Sequence, residues 1–304
     1  MLASETTGRC WSGAFAVLLL AVAAVSGPNA IADPLRVSDD RDGTVSVVDW
    51  SKGFVEVAGH ATARFTGNRV QEELMAKAAA RLIAQARLVE LLHGLRVTGT
   101  TTLRNMLVED QRIEARFEGF LKGAITVAED IDWRSDSAAR RGEVPYATVR
   151  LRLCLTRSDN VCRTRSVALL DPIPPPKAVV REAVTPRAPA APTVYSGLIV
   201  DLQNALFLPV LFPEIVTRSG SRVYSRELVD PVALAENGMA QYAHTVAEAA
   251  HLPLVGARPL IVKAIGVTDD NRIVVSGPDS DAIRSFGRGR GGFLTGARIV
   301  IALD

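Results

Sequence analysis

Aromatic side chains are scarce in this chain of 304 residues: they account for 5% of the sequence, and the formal net charge is +2. Proteins that bind single-stranded nucleic acid need aromatic stacking platforms beside a basic groove, so this composition argues against that class. Hydrophobic residues at 48% and charged residues at 22% exclude a wholly disordered chain. A length of 304 residues predicts two domains.

Long apolar runs are absent beyond the first 25 residues, so the sequence predicts no transmembrane helix after that point. The first 32 residues have the pattern of an export signal: Arg9, an apolar run over 14–25 and the small-residue motif at 30–32. The run is shorter than the roughly 20 residues that span a bilayer. Cleavage between Ala32 and Asp33 is therefore favoured over the alternative, an N-terminal membrane anchor.

Cysteine is also rare, with three residues in the whole chain. Cys10 lies inside the signal and not directly after the cleavage site, where a lipoprotein carries its acylated cysteine. The exported chain keeps Cys154 and Cys162, and an even pair in an oxidising compartment predicts a disulfide. The alternative, a metal site, lacks further His or Cys residues at zinc spacing.

Proline is concentrated in residues 171–193, where it disfavours both helices and central strands. This segment predicts an extended connector that holds two modules apart, with a long surface loop inside one domain as the alternative. The expected organisation is a signal peptide at 1–32, a first module at 33–170, the proline-rich linker at 171–193 and a second module at 194–304.

The sequence of the first module predicts an α+β fold in which one helix covers a mostly antiparallel sheet. Alternating apolar residues indicate strands over 54–63, 112–119 and 146–155. Asn68 is typical of a helix N-cap and Gly94 of a helix end. Between them an apolar stripe predicts the face that packs on the sheet, with a groove for a partner as the alternative. This stripe consists of Met75, Ala79, Leu82, Ala86 and Val89.

The sequence of the second module also predicts an α+β fold with a mostly antiparallel sheet. Its expected strands are 195–201, 260–267, 272–275 and 298–303, with a turn at 269–271 between the second and third. Its expected helices are 236–250, which is rich in alanine, and 278–286, from which Ile283 and Phe286 point inward.

Three segments of the first module follow one another between residues 55 and 124: VEVAGHATA, KAAARLIAQARLVELLHGLRVTGTTTL and RFEGFLKGA. Together they resemble the N-terminal domain of flagellar assembly protein T, and flagellar protein P with its related outer-membrane lipoproteins. The resemblance covers about residues 45–155. YSGLIVDLQNALFLPVLFPEI, PLIVKAIGV and GARIVIALD are similar to the C-terminal part of uncharacterised proteins in that group. The resemblance implies small α+β modules and assembly by protein contacts, and it brings no catalytic residue.

Groups with reactive chemistry are few, and the sequence predicts no catalytic, cofactor or metal site. His244 and His251 could share one face of the predicted helix, but two imidazoles make a poor zinc site. Gly287, Gly289 and Gly292 match the G-x-G-x-x-G spacing, yet they follow a predicted helix, whereas a dinucleotide loop follows a strand. A loop between helix and strand explains them better. Its neighbours, Arg288 and Arg290, are candidates for binding an anionic group.

These patterns favour a non-catalytic assembly or scaffold protein of the periplasm or outer membrane, with flagellum assembly as one such role. Its expected partners are envelope or flagellar proteins or further copies of itself, and no cofactor is expected. The alternative is a periplasmic module that binds an envelope glycan or an anionic ligand near Arg288 and Arg290, and a hydrolase ranks third.

Overall fold

A computed structural model describes residues 33, 35–41, 44–105, 121, 123–157, 159–165, 195–289 and 291–304. The signal peptide with Ala32, the predicted strand at 112–119 and the linker at 171–193 lie outside these residues. The first module contains β1 (Arg36–Arg41), β2 (Thr44–Asp49), β3 (Phe54–Thr62), α1 (Arg69–Gly94), β4 (Ile125–Ser135), β5 (Glu143–Cys154) and α2 (Asn160–Arg165).

The first sheet is fully antiparallel, with strand order β1-β2-β3-β5-β4. Alternation along β3 and β5 directs one set of side chains toward α1 and the other toward the opposite face. Val55, Val57, Val149 and Leu151 are buried on the α1 side. The predicted antiparallel α+β module is therefore confirmed for the described strands.

Helix α1 begins and ends where the sequence predicted. The Asn68 side chain accepts a hydrogen bond from the backbone of Gln71, and Gly94 is the last helical residue. Gly59 of β3 lies directly beneath the helix, where a Cβ atom would come within 2.5 Å of the Ala84 nitrogen. The side of α1 that meets the sheet is accordingly built mainly of alanine, followed by two leucines. Its fully buried apolar residues are Ala76, Ala80, Ala84, Leu88 and Leu92.

The second module contains β6 (Leu198–Asp201), β7 (Ile215–Thr217), β8 (Arg222–Tyr224), α3 (Pro231–Asn237), β9 (Gln241–Ala243), α4 (Val246–His251), β10 (Leu260–Val267), β11 (Ile273–Val275), α5 (Gly277–Gly287) and β12 (Ile299–Ala302). Its sheet has the order β8-β7-β11-β10-β6-β12-β9. The α+β class is confirmed, but the prediction of a mostly antiparallel sheet is wrong for this module. Four strand pairs are parallel and two are antiparallel.

Burial explains why the second sheet is mainly parallel. Strand β12 is buried on both faces, and β6 is buried along Leu198–Val200, so these strands are continuous apolar runs without alternation. Such runs are typical of parallel strands with layers on both sides. One face contributes to the main core, and α4 packs on the other, where Ile199, Val300 and Ala249 form a smaller cluster.

The predicted helix over 236–250 is wrong. Gly238, with a φ of 73°, ends α3 after a start set by the Asp230 cap and by proline at the first helical position. The chain then enters β9 before α4 begins at Val246. The helix predicted at 278–286 and the turn at 269–271 are confirmed. Ile283 is buried as expected, whereas Phe286 is 40% exposed and makes an edge contact with Tyr195.

The two sheets share one hydrophobic core, contrary to the expectation that the connector holds them apart. The loop after α1 inserts against the second sheet, where the backbone nitrogens of Leu211 and Phe212 donate to the carbonyls of Arg96 and Val97 at 3.2 and 2.8 Å. Trp50 meets Tyr242 edge to face at 6.0 Å. Residues 33–304 accordingly form one compact unit.

Cys154 and Cys162 form a disulfide in the structure, with their Cα atoms 5.6 Å apart. Both residues are buried and pack on Phe54. The bond ties the end of β5 to α2. Among the described helices, none combines the length and apolarity needed to cross a bilayer.

Candidate functional site

The stripe that the sequence assigned to the core lies on the outward side of α1, so that prediction is wrong. Leu82 is 66% exposed, Met75 and Ala86 are exposed, and Ala79 and Val89 are partly exposed. We call these five residues the outer seam. It is an apolar surface on a helix whose other apolar side is already packed on the sheet.

Further large apolar side chains extend the outer seam along the N-terminal half of α1. Val70 is 65% exposed and Leu74 is 63% exposed, and Ile83 lies beside Leu82. Exposed helix faces normally carry charged residues, yet this surface is formally uncharged from Val70 to Val89. Its members, besides the outer seam itself, are Val70, Gln71, Leu74, Ala78, Ile83 and Gln85.

Lys77 and Arg81 border this surface on one side and pair with a carboxylate of the protein's own sheet, while Arg87 follows Ile83 by one turn on the other side. Lys77 and Arg81 both reach Glu129 of β4, at 3.4 and 2.9 Å. Hydrogen bonds from Arg81 act on Glu129 against the opposing effect of burial, and with the contribution of Lys77 they lower the pKa of this carboxyl. Two cations share one carboxylate, so this border keeps a formal charge of +1.

The start of α1 is anchored by a buried carboxylate. Glu72 accepts backbone hydrogen bonds from Thr66 and Gly67 at 2.7 and 3.0 Å, and Arg141 from the β4–β5 hairpin donates to it at 2.5 Å. Burial alone would raise the pKa of Glu72, but these three donors outweigh it and lower the pKa. Glu72 thus joins the entry loop, the helix and the hairpin.

Acid should weaken this anchor. Because the folded pKa of Glu72 is lowered below its usual value of 4.5, its stabilising contribution is complete above that value and is lost as pH falls through the folded pKa. We expect Glu72→Gln to lower the melting temperature clearly at about pH 7 and much less at about pH 3. Melting curves across this range should show that the gap in melting temperature between the native chain and Glu72→Gln closes toward acid pH. The exposed control Glu236→Gln should follow the native protein throughout. A gap that stays constant with pH would contradict the assignment.

A cleft of about 400 Å³ lies beside this anchor, between the hairpin and the N-terminal end of α1. Its lining includes Phe65, Arg64 and Arg140, and the two arginines make no ion pair among the described residues. Arg141 also lines the cleft, but its charge is balanced by Glu72 and its guanidinium lies over the Phe65 ring at 4.9 Å. Three carboxylates, Glu72, Asp136 and Glu143, also line the cleft, so its three arginines are formally balanced.

A smaller cleft of about 200 Å³ lies where the loop after α1 meets the second sheet. Its two arginines are compensated: Arg272 pairs with Asp270, and Arg222 approaches Glu214 at 3.9 Å. Its Thr98–Thr100 wall belongs to the contact between the two sheets. This cleft is part of the packing and offers no free charge.

The anion-binding candidates of the second module are not brought together by the described structure. Arg288 is exposed just after α5, and Arg290 lies outside the described residues. Gly287 ends α5, and Gly289 and Gly291 have positive φ angles of 111° and 77°. The glycine motif is thus a turn between a helix and β12, as the sequence indicated.

The histidines do not form a metal site in the described structure. His244 precedes α4 and lies 3.5 Å from Asp33, while His251 at the end of α4 contacts the Ala247 carbonyl. Only His251 lies within a helix, so the two histidines do not share a helix face, contrary to the expectation. His60 contacts the Thr148 hydroxyl at 2.9 Å, and burial together with nearby arginines lowers its pKa. Among described residues, no group of three potential ligands converges.

Two buried tyrosines in the second module support the fold. The Tyr224 hydroxyl donates to the Met239 carbonyl at 2.6 Å, and Tyr242 bonds both backbone groups of Val210. Burial raises the pKa of each phenol well above its usual value. Tyr242 therefore holds the loop after β6, and Tyr224 holds the segment between α3 and β9.

Comparison with known proteins identifies a similarity in the second module. A search of curated proteins returns no match. Residues 197–304, which contain all seven strands of the second sheet, match the family model of Treponema pallidum Tp0624, second domain. The second module is therefore similar to that domain.

Proposed function

We propose that this chain is a non-catalytic assembly or scaffold protein of the periplasm or outer membrane, and that α1 contacts its partners through the outer seam. The observation that carries the proposal is the exposure of Leu82, Val70 and Leu74 on an uncharged helix face. Contiguous exposed apolar surface of this kind marks interaction sites in soluble proteins.

The exposed apolar side chains of this surface supply part of the free energy that association needs. Five large side chains, Val70, Leu74, Met75, Leu82 and Ile83, are between 37% and 66% exposed. Covering them would gain about 1 kcal/mol each, since complete burial of such a side chain is worth about 1.5–3 kcal/mol. The total of about 5 kcal/mol must offset the cost of association, so neighbouring contacts are needed for a tight complex.

The location in this proposal rests on the N-terminal export pattern and on the buried disulfide between Cys154 and Cys162. Disulfides persist in oxidising compartments such as the bacterial periplasm. The flagellar role rests on the sequence resemblance of residues 45–155 and is the narrower form of the proposal.

Crosslinking in intact envelopes, followed by purification of the chain, tests this function. Leu82→Glu places a charge in the middle of the outer seam, and Val232→Glu is the matched control because Val232 is 65% exposed on α3 of the second module. We expect Leu82→Glu to lose most crosslinked envelope proteins while the control retains them, with equal melting temperatures. Equal recovery from both variants would overturn the proposal.

A binding module for an envelope glycan or anionic ligand is the second candidate, favoured by the cleft beside α1 and not by the second module. Arg64 and Arg140 supply cationic groups there beside the carboxylates of Asp136 and Glu143, and Phe65 supplies an apolar wall. Calorimetric titration with a carboxylated oligosaccharide tests it. Binding that disappears in Arg64→Ala and Arg140→Ala, but not in Arg288→Ala, would favour this function.

A further inference from the structure

The outer seam has the spacing of a helix–helix contact. Its residues, Met75, Ala79, Leu82, Ala86 and Val89, follow one another at intervals of four, three, four and three. This alternation keeps one line of side chains facing a second helix and is the seam spacing of coiled coils. An extended peptide or a flat sheet would not require it.

We infer that a second copy of this chain covers the outer seam, with the two α1 helices antiparallel about a two-fold axis. This inference rests on the proposed function and names the partner at the same surface.

The sizes of the side chains favour the antiparallel direction. Large and small residues alternate along the outer seam, and a well-packed contact places large residues opposite small ones. An axis between positions 80 and 81 puts Met75 opposite Ala86 of the other copy and Ala79 opposite Leu82. A parallel pair would instead put Ala79 opposite its own equivalent and leave gaps. The helix dipoles also attract in the antiparallel arrangement.

This register also uses the most exposed part of the helix. The largest exposed apolar side chains lie between Val70 and Ile83. With the axis between positions 80 and 81, the N-terminal half of each α1 helix lies against the C-terminal half of the other. Met75 and Leu82, two large exposed side chains of the outer seam, are then covered, whereas Val70 and Leu74 lie about 100° or more around α1 from the seam and stay exposed.

The charge pattern fits self-association better than a strongly charged partner. The five residues of the outer seam carry no formal charge, so the line of contact itself brings no like charges together. The bordering cations, Lys77 and Arg81, are already paired with Glu129 of the same copy. An acidic partner would have to compete with that carboxylate.

The size of the surface predicts a weak, reversible dimer. Twenty helical residues extend about 30 Å, and a helix is about 10 Å wide. The footprint is then about 300 Å² per copy, or about 600 Å² in total, below the roughly 1,200 Å² of stable complexes. We therefore expect mostly monomer at about 5 μM and a substantial dimer fraction at several hundred μM.

Cysteine crosslinking of purified protein comprising residues 33–304 tests the direction and register. Met75→Cys and Ala86→Cys are made in separate chains, and Cys154 and Cys162 are already bonded to each other. The two positions are about 16 Å apart along one helix, beyond the Cα separation of about 4.4–6.8 Å that a disulfide allows. We expect the mixture of the two variants to form a disulfide-linked heterodimer, while neither variant crosslinks alone.

Analytical ultracentrifugation between about 5 μM and several hundred μM measures the average mass as the second readout. The average mass should rise toward the dimer for the native chain and for Val232→Glu, and Leu82→Glu should remain a monomer. Crosslinking of each single variant with itself would show a parallel pair and overturn the inference.

A native chain that stays monomeric and forms no mixed crosslink would also overturn the self-pairing. If Leu82→Glu still loses envelope partners in that case, the proposed function stands with a different occupant. If Leu82→Glu loses nothing, both proposals fail.

Discussion

Replacing Gly59 with alanine will lower the free energy of unfolding by about 3 kcal/mol, near the upper end of the usual cost of overpacking a core. A methyl group at this position would overlap the carbonyl oxygen of Ala80 and come within 2.5 Å of the Ala84 nitrogen. Both are backbone atoms of α1, so no side-chain rotation can relieve the overlap. The helix must lift from the sheet.

Chemical denaturation of purified protein measures this effect, with Gly94→Ala as the control. A Cβ atom at Gly94 would meet nothing within 4 Å, and alanine is favoured over glycine in helices. The control should be as stable as the native chain or slightly more stable. Equal stability of Gly59→Ala and the control would mean that α1 does not depend on this close approach.

The same close approach explains why the sequence predicted α1 well but predicted its buried side wrongly. The cap at Asn68 and the end at Gly94 are local signals, and local signals were sufficient for the limits of the helix. The orientation was not local, because two sides of α1 are apolar. Size alone favours burying the side with Met75 and Leu82, but the contact with Gly59 accepts only the alanine side.

The second module shows a different limit of sequence reasoning. Strands β10, β11 and β12 were predicted within one or two residues because their apolar runs are distinct. Strand direction depends on which segments become neighbours in space, and no local pattern reports it. The three residues of β9 lie in an alanine-rich segment that resembles one helix, and Gly238 was the signal that it is broken.

The candidate site was visible in the sequence under the wrong description. The outer seam is the apolar stripe that the sequence indicates, and the structure places it on the exposed side of α1 and not in the core. A second i, i+4 row from Ala76 to Leu92 was the available signal that α1 has two apolar sides. The Glu72–Arg141 anchor could not be found this way, since the two residues are 69 positions apart.

Cutting the chain within the connector will leave the two modules associated. The sequence suggested independent modules, but the described residues form one unit with a shared core and direct backbone hydrogen bonds between the sheets. Val97 and Leu103 are buried in that core, and burial of each is worth about 1.5–3 kcal/mol. A recognition sequence for a specific protease, inserted between residues 177 and 187, allows a clean cut.

After cleavage, the two fragments should elute together in gel filtration at the position of the uncut chain. Gly99→Ala should disturb this, because a Cβ atom at Gly99 would overlap the Asp270 carbonyl oxygen across the contact between the sheets. Gly277→Ala is the matched control, since a Cβ atom there meets nothing within 4 Å. We expect fragments of the native and control chains to remain together and those of Gly99→Ala to separate or precipitate. Separation of the native fragments would show that the connector alone joins the modules, and the shared core would then contribute little to stability.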